Sequence, residues 1–211
     1  MGPTILLVLR AVPNRNLVYT SAMKYHLIPD EIPYTGKELN NHWTYRNFGI
    51  LGDSVVAFVG PCQVDQDSMV DLEDVLNDDY IYSKKMLNFI VEVFGISLQE
   101  GVLLQRLFSS IIQDRINAMS PDRPVKRRGD DLFYSDTAKL SVSICTVSPT
   151  SILIHTGLNI DAQGAPVEAA GLASDLHLDD SIDALALACM RTLTEEWGDI
   201  RLSCCKVRAV V

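Results

Sequence analysis

Four polar residues in the segment 130–161 have the side-chain types that a binding or catalytic site needs. Lys139 lies in an otherwise apolar and hydroxylic run, and His155, Thr156 and Asn159 follow in the next apolar run. A lysine ammonium is a compact positive charge suited to phosphate or carboxylate oxygens, and it needs a partner if it is buried. Lysine is also common at exposed sheet edges, so a solvated edge residue is the alternative interpretation.

Two further sets of polar residues accompany the lysine. Ser141 and Ser143 follow it at the spacing that places side chains on one face of a strand. Asp71, Glu73 and Asp74 form an acidic cluster in the run VDLED, which we interpret as a short strand with its first two carboxylates on one face. Clustered carboxylates repel one another, so they face solvent, hold a cation or share a proton. A solvated face and a functional site both remain open for this cluster.

The charge balance argues against general nucleic-acid binding. The chain has 18 basic and 27 acidic residues and a formal net charge of −9, whereas a nucleic-acid binder needs a net positive surface. Arg123, Lys126, Arg127 and Arg128 form one local basic segment. On position alone, a solvated loop is the favoured interpretation of this segment.

The cysteine pattern predicts a cytoplasmic protein without a structural zinc site. The five cysteines include no CxxC pair, and the four histidines are scattered. The longest apolar run, Ile5–Leu9, is far shorter than the roughly 20 residues that span a membrane. We therefore expect no membrane association.

The first 22 residues allow two interpretations. They form an extension upstream of a true start at Met23, or Thr4–Arg10 and Leu17–Thr20 pair as a hairpin. The sequence contains no internal repeat or linker after this point. Residues 23–211 are therefore predicted to form one domain.

The predicted elements indicate an α+β fold with a mainly antiparallel sheet flanked by helices. Strands are predicted at Ser54–Val59, Met69–Leu72, Asp131–Tyr134, Lys139–Cys145, Ser151–Ile160 and Ile200–Val210. Helices are predicted from a cap at Ser83 to Gly95, from a Ser97/Glu100 capping box to Ser120–Pro121, and from Asp180 to Trp197 with Gly198 as the stop. Strands linked as hairpins, with helices grouped together, are typical of this fold class and not of a doubly wound sheet.

Several of these runs resemble the signature of lipoate–protein ligases. TAKLSVSI followed by SILIHTGLNI is similar to a strand of the type K-[VI]-S-G-S-A followed by H-H-G-T-L-L-L-N. Lys139, Ser141 and Ser143 fall on the lysine and hydroxyl positions of that pattern. VVAFVGPCQ and the Asp130-Asp131-Leu132 run resemble two other elements of the same family, in the same order. The resemblance implies the fold of biotin and lipoate ligases and of class II aminoacyl-tRNA synthetases.

A broader resemblance extends over the chain from Tyr34 onward. YTGKELNNHW, GDSVVAFVGPCQV, MVDLEDV, MLNFIVEVF and RRGDDLFY are similar to the uncharacterised domain-of-unknown-function family 366 of archaea and bacteria. That family is grouped with the biotin/lipoate-ligase fold. Its membership implies no established activity.

One departure from the ligase pattern bears on function. Lipoate ligases carry R-R-x-x-G-G-G-A-V where this chain reads MVDLEDV, so carboxylates replace two cations and a glycine loop is missing. An acidic patch repels the phosphates of ATP unless a magnesium ion bridges them, and it suits a cationic or amine-bearing ligand.

Three classes of function follow from the resemblance. The first is an ATP-dependent, adenylate-forming ligase or acyl transferase for a small carboxylate or amine metabolite, with catalytic Lys139, Asp131 and His155. In that class, the substrate-binding residues are Asp71, Glu73, Asp74, Arg127, Arg128, Ser141, Ser143, Thr156 and Asn159, and Mg²⁺ is held through Asp71, Glu73 and Asp131. The alternatives are a non-catalytic metabolite-binding protein and an assembly subunit. A homo-oligomer is compatible with all three.

Overall fold

A five-stranded sheet is the centre of the computed structural model, which describes residues 23–77, 80–165 and 167–210. The strands are β1 (Lys24–Leu27), β2 (Ser54–Val64), β3 (Ile81–Phe94), β4 (Val125–Arg128), β5 (Asp131–Tyr134), β6 (Ala138–Lys139), β7 (Ser141–Val147) and β8 (Ser151–Asp161). The α-helices are α1 (Trp43–Phe48), α2 (Leu72–Leu76), α3 (Leu98–Met119) and α4 (Ile182–Cys205). The predicted hairpin within residues 1–22 lies outside the described residues.

The strand order confirms the predicted fold class. The large sheet has the order β1-β2-β3-β8-β7, in which β1 is parallel to β2 and the other neighbours are antiparallel. A small antiparallel sheet, β4-β5-β6, lies beside it. The predicted strands 55–59, 140–145 and 152–160 therefore share one mainly antiparallel sheet, as expected.

Side chains from alternate positions of the sheet enter two separate cores. Val55, Leu87 and Phe89 belong to the core that α3 and α4 cover on one face. Val56 and Met86 belong to a second core on the opposite face, which the segment between β1 and β2 covers. Both faces are therefore buried in β3 from Met86 onward and in most of β8, and a polar side chain there must find its partner inside the protein.

The helix predicted after Ser83 is wrong, because those residues form β3. Ser83 is buried within the strand and donates to the carbonyl of Lys85 at 3.2 Å. The spacing of apolar residues looked helical because this strand is apolar on both faces, and such runs do not distinguish a buried strand from a helix. The β-branched residues Ile90, Val91 and Val93 favour the strand.

Two other elements differ from the prediction. β2 continues through Gly60 and Pro61 to Val64, with a register shift between Gly60 and Cys62. The predicted strand at 69–72 is instead a loop that leads into the short helix α2, because Asp71 acts as its N-cap and accepts from Glu73 N at 2.9 Å. By contrast, the Ser97 capping box of α3 is confirmed: Ser97 N donates to Glu100 Oε2 at 2.6 Å.

The last helix runs past its predicted stop. Gly198 lies inside α4, and the chain stays helical to Cys205, so the strand predicted at 200–210 is wrong. A single glycine costs a helix only about 0.5–1 kcal/mol, which the packing of Trp197 can offset. The Trp197 indole N–H donates to Asp53 Oδ2 at 2.9 Å and attaches this part of α4 to the start of β2.

In the described part of the chain, no helix is long and apolar enough to cross a membrane.

Two glycines give opposite predictions for stability. A Cβ at Gly60 would overlap the carbonyl oxygen of Ile32, whereas a Cβ at Gly198 meets no atom within 4 Å. Gly60→Ala should therefore lower the free energy of unfolding by about 1–3 kcal/mol through overpacking. Gly198→Ala should raise it by about 0.5–1 kcal/mol, because alanine favours the helix. Urea denaturation of both variants measures these changes, and equal shifts of one sign would contradict the assignment of the two positions.

Candidate functional site

A cavity of about 500 Å³ is bordered by β7, the edge strand of the large sheet, and by its neighbour β8. Its wall combines β7 and β8 with the start of β5, the loop before α2 and the residues around Tyr80–Tyr82. The volume lies within the range of small-molecule sites in proteins. The cavity is therefore large enough for a metabolite.

Most of the predicted site residues border this cavity. Its lining includes eight of them: Asp71, Asp74, Asp131, Lys139, Ser141, Ser143, His155 and Asn159. Residues far apart in the sequence thus meet in one place, although this location leaves their individual roles as predictions. The remaining four do not line it: Glu73, Thr156, Arg127 and Arg128.

Lys139 and Asp131 form an ion pair on the cavity wall. Lys139 Nζ lies 3.0 Å from Asp131 Oδ2, and about a third of the lysine side chain is exposed. Burial raises the pKa of Asp131 above its ordinary value, and the opposing effect of Lys139 is smaller. An ammonium has three donor hydrogens, so two remain for a ligand after the aspartate has taken one.

A second ion pair supports this wall from α3. Arg106 Nη1 lies 3.1 Å from Asp130 Oδ1, and Gln105 Nε2 donates to Asp130 Oδ2 at 2.9 Å. Gly129 has φ +68°, and a Cβ there would overlap the Arg106 guanidinium. The glycine therefore permits the close approach of the arginine. Sequence reasoning missed Gln105 and Arg106 as partners of this site, because helical spacing alone does not show which loop a helix faces.

The serine hydroxyls are occupied by protein partners. Ser141 Oγ accepts from Leu132 N at 2.7 Å and so joins β7 to β5. Ser143 Oγ lies 3.0 Å from Gln105 Nε2 and 3.1 Å from Thr156 Oγ1. Thr156 is 1% exposed, bonds to Ser143 on the helix-covered side of the sheet and does not line the cavity. These three hydroxyl groups stabilise the wall.

His155 is a buried, neutral residue. Its ring is 3% exposed and stacks on Tyr34, with centroids 3.7 Å apart and planes at 11°. Burial lowers the pKa of His155 from 6.5 to about 3. At neutral pH it therefore neither carries charge nor serves as an effective proton acceptor, which weighs against the catalytic role predicted for it.

Asn88 fixes the tautomer of that histidine. Its Nδ2 donates to the Met86 carbonyl at 3.3 Å, so its Oδ1 faces His155 Nε2 at 3.0 Å as an acceptor. His155 must then carry its proton on Nε2 and present a lone pair on Nδ1. Sequence reasoning missed Asn88. A lone amide in the apolar run of β3 was the signal that could have identified it.

The arginines predicted to hold phosphates lie elsewhere. Arg127 and Arg128 are exposed on β4, where Arg128 lies 5.0 Å from the ring centre of Phe133 and 3.9 Å from Asp136. Arg127 donates to the carbonyl of Gly129. The basic segment is thus part of the small sheet, and the solvated loop expected there is wrong because residues 125–128 pair with β5.

A preformed magnesium site through Asp71, Glu73 and Asp131 is not present. Glu73 is exposed on α2 and does not border the cavity. Across residues 23–77, 80–165 and 167–210, no three acidic, histidine or cysteine side chains group closely enough to hold a metal ion. A cation at this wall would need oxygen ligands from the substrate as well.

The lowered pKa of His155 predicts a pH dependence of stability. The unfolded state binds a proton near pH 6.5 and the folded state only near pH 3, so stability is fully present above pH 6.5 and is lost as the pH falls toward 3. The loss should be up to about 1.4 kcal/mol per pH unit. His155→Gln, which keeps an N–H for Asn88, should remove this contribution.

The measurement is urea denaturation of wild type and variant between pH 7 and pH 4. Other groups titrate in this range. The relevant quantity is therefore the difference in the free energy of unfolding between wild type and His155→Gln at each pH. His26→Gln, at an exposed position of β1, is the control and should keep the wild-type slope. If the difference between wild type and His155→Gln does not vary with pH, His155 is not buried as a neutral ring.

Comparisons with solved structures support the fold. A protein of unknown function from Pyrococcus horikoshi is 38% identical and superposes with a TM-score of 0.80, over 90% of this chain and all of that one (100%). Biotin protein ligase from Aquifex aeolicus, in complex with biotin and ATP, is 12% identical with a TM-score of 0.53, over 83% of this chain and 72% of the ligase. LipL1 from P. falciparum, in complex with lipoate, is 11% identical with a TM-score of 0.53, over 82% of this chain and 62% of that one. The predicted biotin/lipoate-ligase fold is thereby confirmed.

Sequence comparison identifies the family. An uncharacterized protein of Methanocaldococcus jannaschii is 37% identical over 167 residues, which are 76% of this chain and 74% of that protein. The sequence profile of the domain of unknown function DUF366 matches residues 23–208. The resemblance to this family, carried by motifs from Tyr34 onward, is confirmed, and the chain belongs to the DUF366 family.

Proposed function

We propose that this protein is an adenylate-forming ligase or acyl transferase that acts on a small carboxylate. The observation that carries the proposal is the Lys139 ammonium on the wall of a metabolite-sized cavity, in a chain with the biotin/lipoate-ligase fold. The Aquifex ligase of that fold binds biotin together with ATP. A carboxylate ligand and a nucleotide in a protein of this fold support a role for Lys139 as a partner of anionic oxygens.

The reaction would proceed in two balanced steps. A carboxylate oxygen of the substrate attacks the α-phosphorus of ATP, a P–O bond forms, and pyrophosphate leaves. A nucleophile of the acceptor then attacks the acyl carbon and forms a bond to it, the bond between that carbon and the AMP oxygen breaks, AMP leaves, and the proton of the nucleophile passes to solvent. Lys139 would stabilise the negative charge that develops on the acyl or phosphoryl oxygens, because a fixed cation in a partly buried site acts strongly there.

The donor set fits ATP only with a divalent cation. Lys139 is the cation that borders the cavity among the described residues, whereas Asp71, Asp74, Asp130 and Asp131 bring four carboxylates. Magnesium commonly binds through one or two protein carboxylates together with substrate phosphates. Asp71 and Asp131 are the residues that would hold such an ion, which would reduce the repulsion between the carboxylates and the nucleotide.

A metabolite-binding protein without catalysis is the second candidate. Two observations favour it. The lowered pKa of His155 makes this residue a poor general base. The serine hydroxyls already have hydrogen-bond partners within the protein. Both candidates use the same cavity and a small-molecule partner. A cytoplasmic location, as the sequence predicts, is compatible with both.

Nucleotide binding separates the two candidates. A ligand at about 100 times its dissociation constant raises the free energy of unfolding by about 2.7 kcal/mol. ATP with MgCl₂ should produce a stabilisation of this size if the protein is a ligase, and MgCl₂ alone is the control. If ATP has no effect on urea denaturation at millimolar concentration, the ligase proposal is wrong and the binding-protein candidate is favoured.

Lys139→Ala should lower the rate of ATP–pyrophosphate exchange, assayed with a panel of small carboxylates, by about 10²–10³-fold. That range is typical for the loss of one preorganised electrostatic donor. Lys126→Ala is a matched control, because Lys126 also pairs with an aspartate, Asp136 at 2.9 Å, but lies outside the cavity. If the two variants have equal rates, Lys139 is not catalytic. If Lys139→Ala unfolds, the ion pair with Asp131 is structural.

A further inference from the structure

The connection between β2 and β3 carries an exposed apolar face. It contains α2, a helix of five residues of which none is buried. Leu72 and Leu76 lie four residues apart on one face of this helix, and they are 74% and 85% exposed. A helix this short is at most marginally stable by itself. Burial of its leucine face against another molecule would therefore stabilise it.

An open groove continues this apolar face and adjoins the cavity. The groove and the cavity share four lining residues: Val64, Tyr80, Ile81 and Tyr82. Tyr80 and Tyr82 are exposed. Asp71, the cap of α2, borders the same cavity as these tyrosines, so the helix lies beside them. Leu72, Leu76, Tyr80 and Tyr82 are named the docking surface here, because exposed apolar patches bordered by polar residues mark interaction sites.

The charges around the docking surface are of one sign. Residues 63–77 include five acidic residues and no lysine, arginine or histidine, and Asp65 and Asp67 line the groove itself. These carboxylates repel nucleic acids and anionic lipid head groups, and they attract a basic partner. The tyrosine rings favour the same partner, since the face of an aromatic ring attracts the cation of lysine or arginine.

A second copy of this chain is a weaker match for the docking surface. The small sheet of such a copy would offer Lys126 and Arg128, but these side chains already lie 2.9 Å and 3.9 Å from Asp136. Two copies would also bring together surfaces of a chain whose net charge is −9. Charge complementarity therefore favours a different protein.

We infer that the docking surface binds another protein through a polypeptide segment that combines basic and apolar residues. Apolar side chains of the segment cover Leu72 and Leu76, and its lysines or arginines face Asp65, Asp67 and the tyrosine rings. Because the groove adjoins the cavity, the bound segment lies at the mouth of the cavity. The inference goes beyond the proposed function and holds whether or not the cavity is catalytic.

One pair of variants tests the apolar contribution. Leu72→Gln combined with Leu76→Gln removes the leucine face, and glutamine is a good helix former. Leu103→Gln is the matched control, because Leu103 is a 63% exposed leucine on α3, outside the docking surface. Since all three side chains are exposed, urea denaturation should show that both variants are folded.

A second pair tests the charge. Asp65→Asn combined with Asp67→Asn removes two negative charges from the groove. Asp179→Asn combined with Asp180→Asn is the control, since it removes two exposed carboxylates that do not line the groove. The net charge changes equally in both variants, so a difference between them reports on position.

The experiment selects binders from a phage-displayed library of random linear peptides on immobilised wild-type protein. The selected peptides are synthesised with fluorescein, and their affinity is measured by fluorescence anisotropy. They should have a net positive charge together with apolar residues. Their affinity should fall about tenfold or more in the double leucine variant and about threefold or more in Asp65→Asn/Asp67→Asn. Both controls should keep the wild-type affinity, and added KCl should weaken binding because it screens exposed charges.

Four outcomes would overturn the inference. The first is that the library yields no binder, or only neutral or acidic peptides. The second is an equal loss of affinity in each variant and its control. The third is a wild-type dimer in sedimentation velocity that the double leucine variant does not form, which would assign the surface to a second copy. The fourth is binding to phosphatidylglycerol vesicles that the same variant loses, which would assign the surface to a membrane.

Discussion

Burial of the two central strands on both faces is the constraint on which the rest of the structure depends. β3 and β8 pair with each other, and each also has a second strand neighbour, so neither has a free edge. A polar side chain in the buried part of these strands is shielded from bulk water and is hydrogen-bonded inside the protein. His155 on β8 and Asn88 on β3 satisfy one another, and this bond fixes the proton position of the imidazole. The chemical character of the cavity wall thus follows from the packing of the sheet.

The same constraint determines where a charge can be placed. The chain passes from the small sheet to the large one between Lys139 and Ser141, and hydrogen bonds hold this crossing on both sides. Leu140 N donates to Leu132 O at 2.8 Å, and Asn159 N donates to Leu140 O at 2.9 Å. Lys139 itself lies at the junction of the two sheets, where its ammonium stays partly in water and its backbone is fixed. A lysine two residues further along the chain would be less accessible to solvent.

The sequence predicted residues that line the cavity more accurately than it predicted the helices and strands around them. The run from Lys139 to Asn159 was recognisable because polar residues are unusual in such apolar strands. By contrast, β3 was interpreted as a helix, since a strand that is apolar on both faces has no alternation to identify it. Gly198 was interpreted as a stop, although tertiary packing of α4 outweighs the preference of one residue. Contacts made between elements, such as Arg106 with Asp130, have no local sequence signal at all.

The short helix α2 ties the charge of the cavity wall to local folding. Asp71 is both the cap of this helix and part of the cavity wall, so the residue that stabilises the helix also supplies negative charge to the site. The carboxylate cannot be exchanged for a cation at that position without loss of the cap, because lysine and arginine have no acceptor atoms. The acidic character of this part of the wall is therefore a consequence of the helix cap. The cavity wall thus takes its charge from secondary structure as well as its shape from the packing of the sheet.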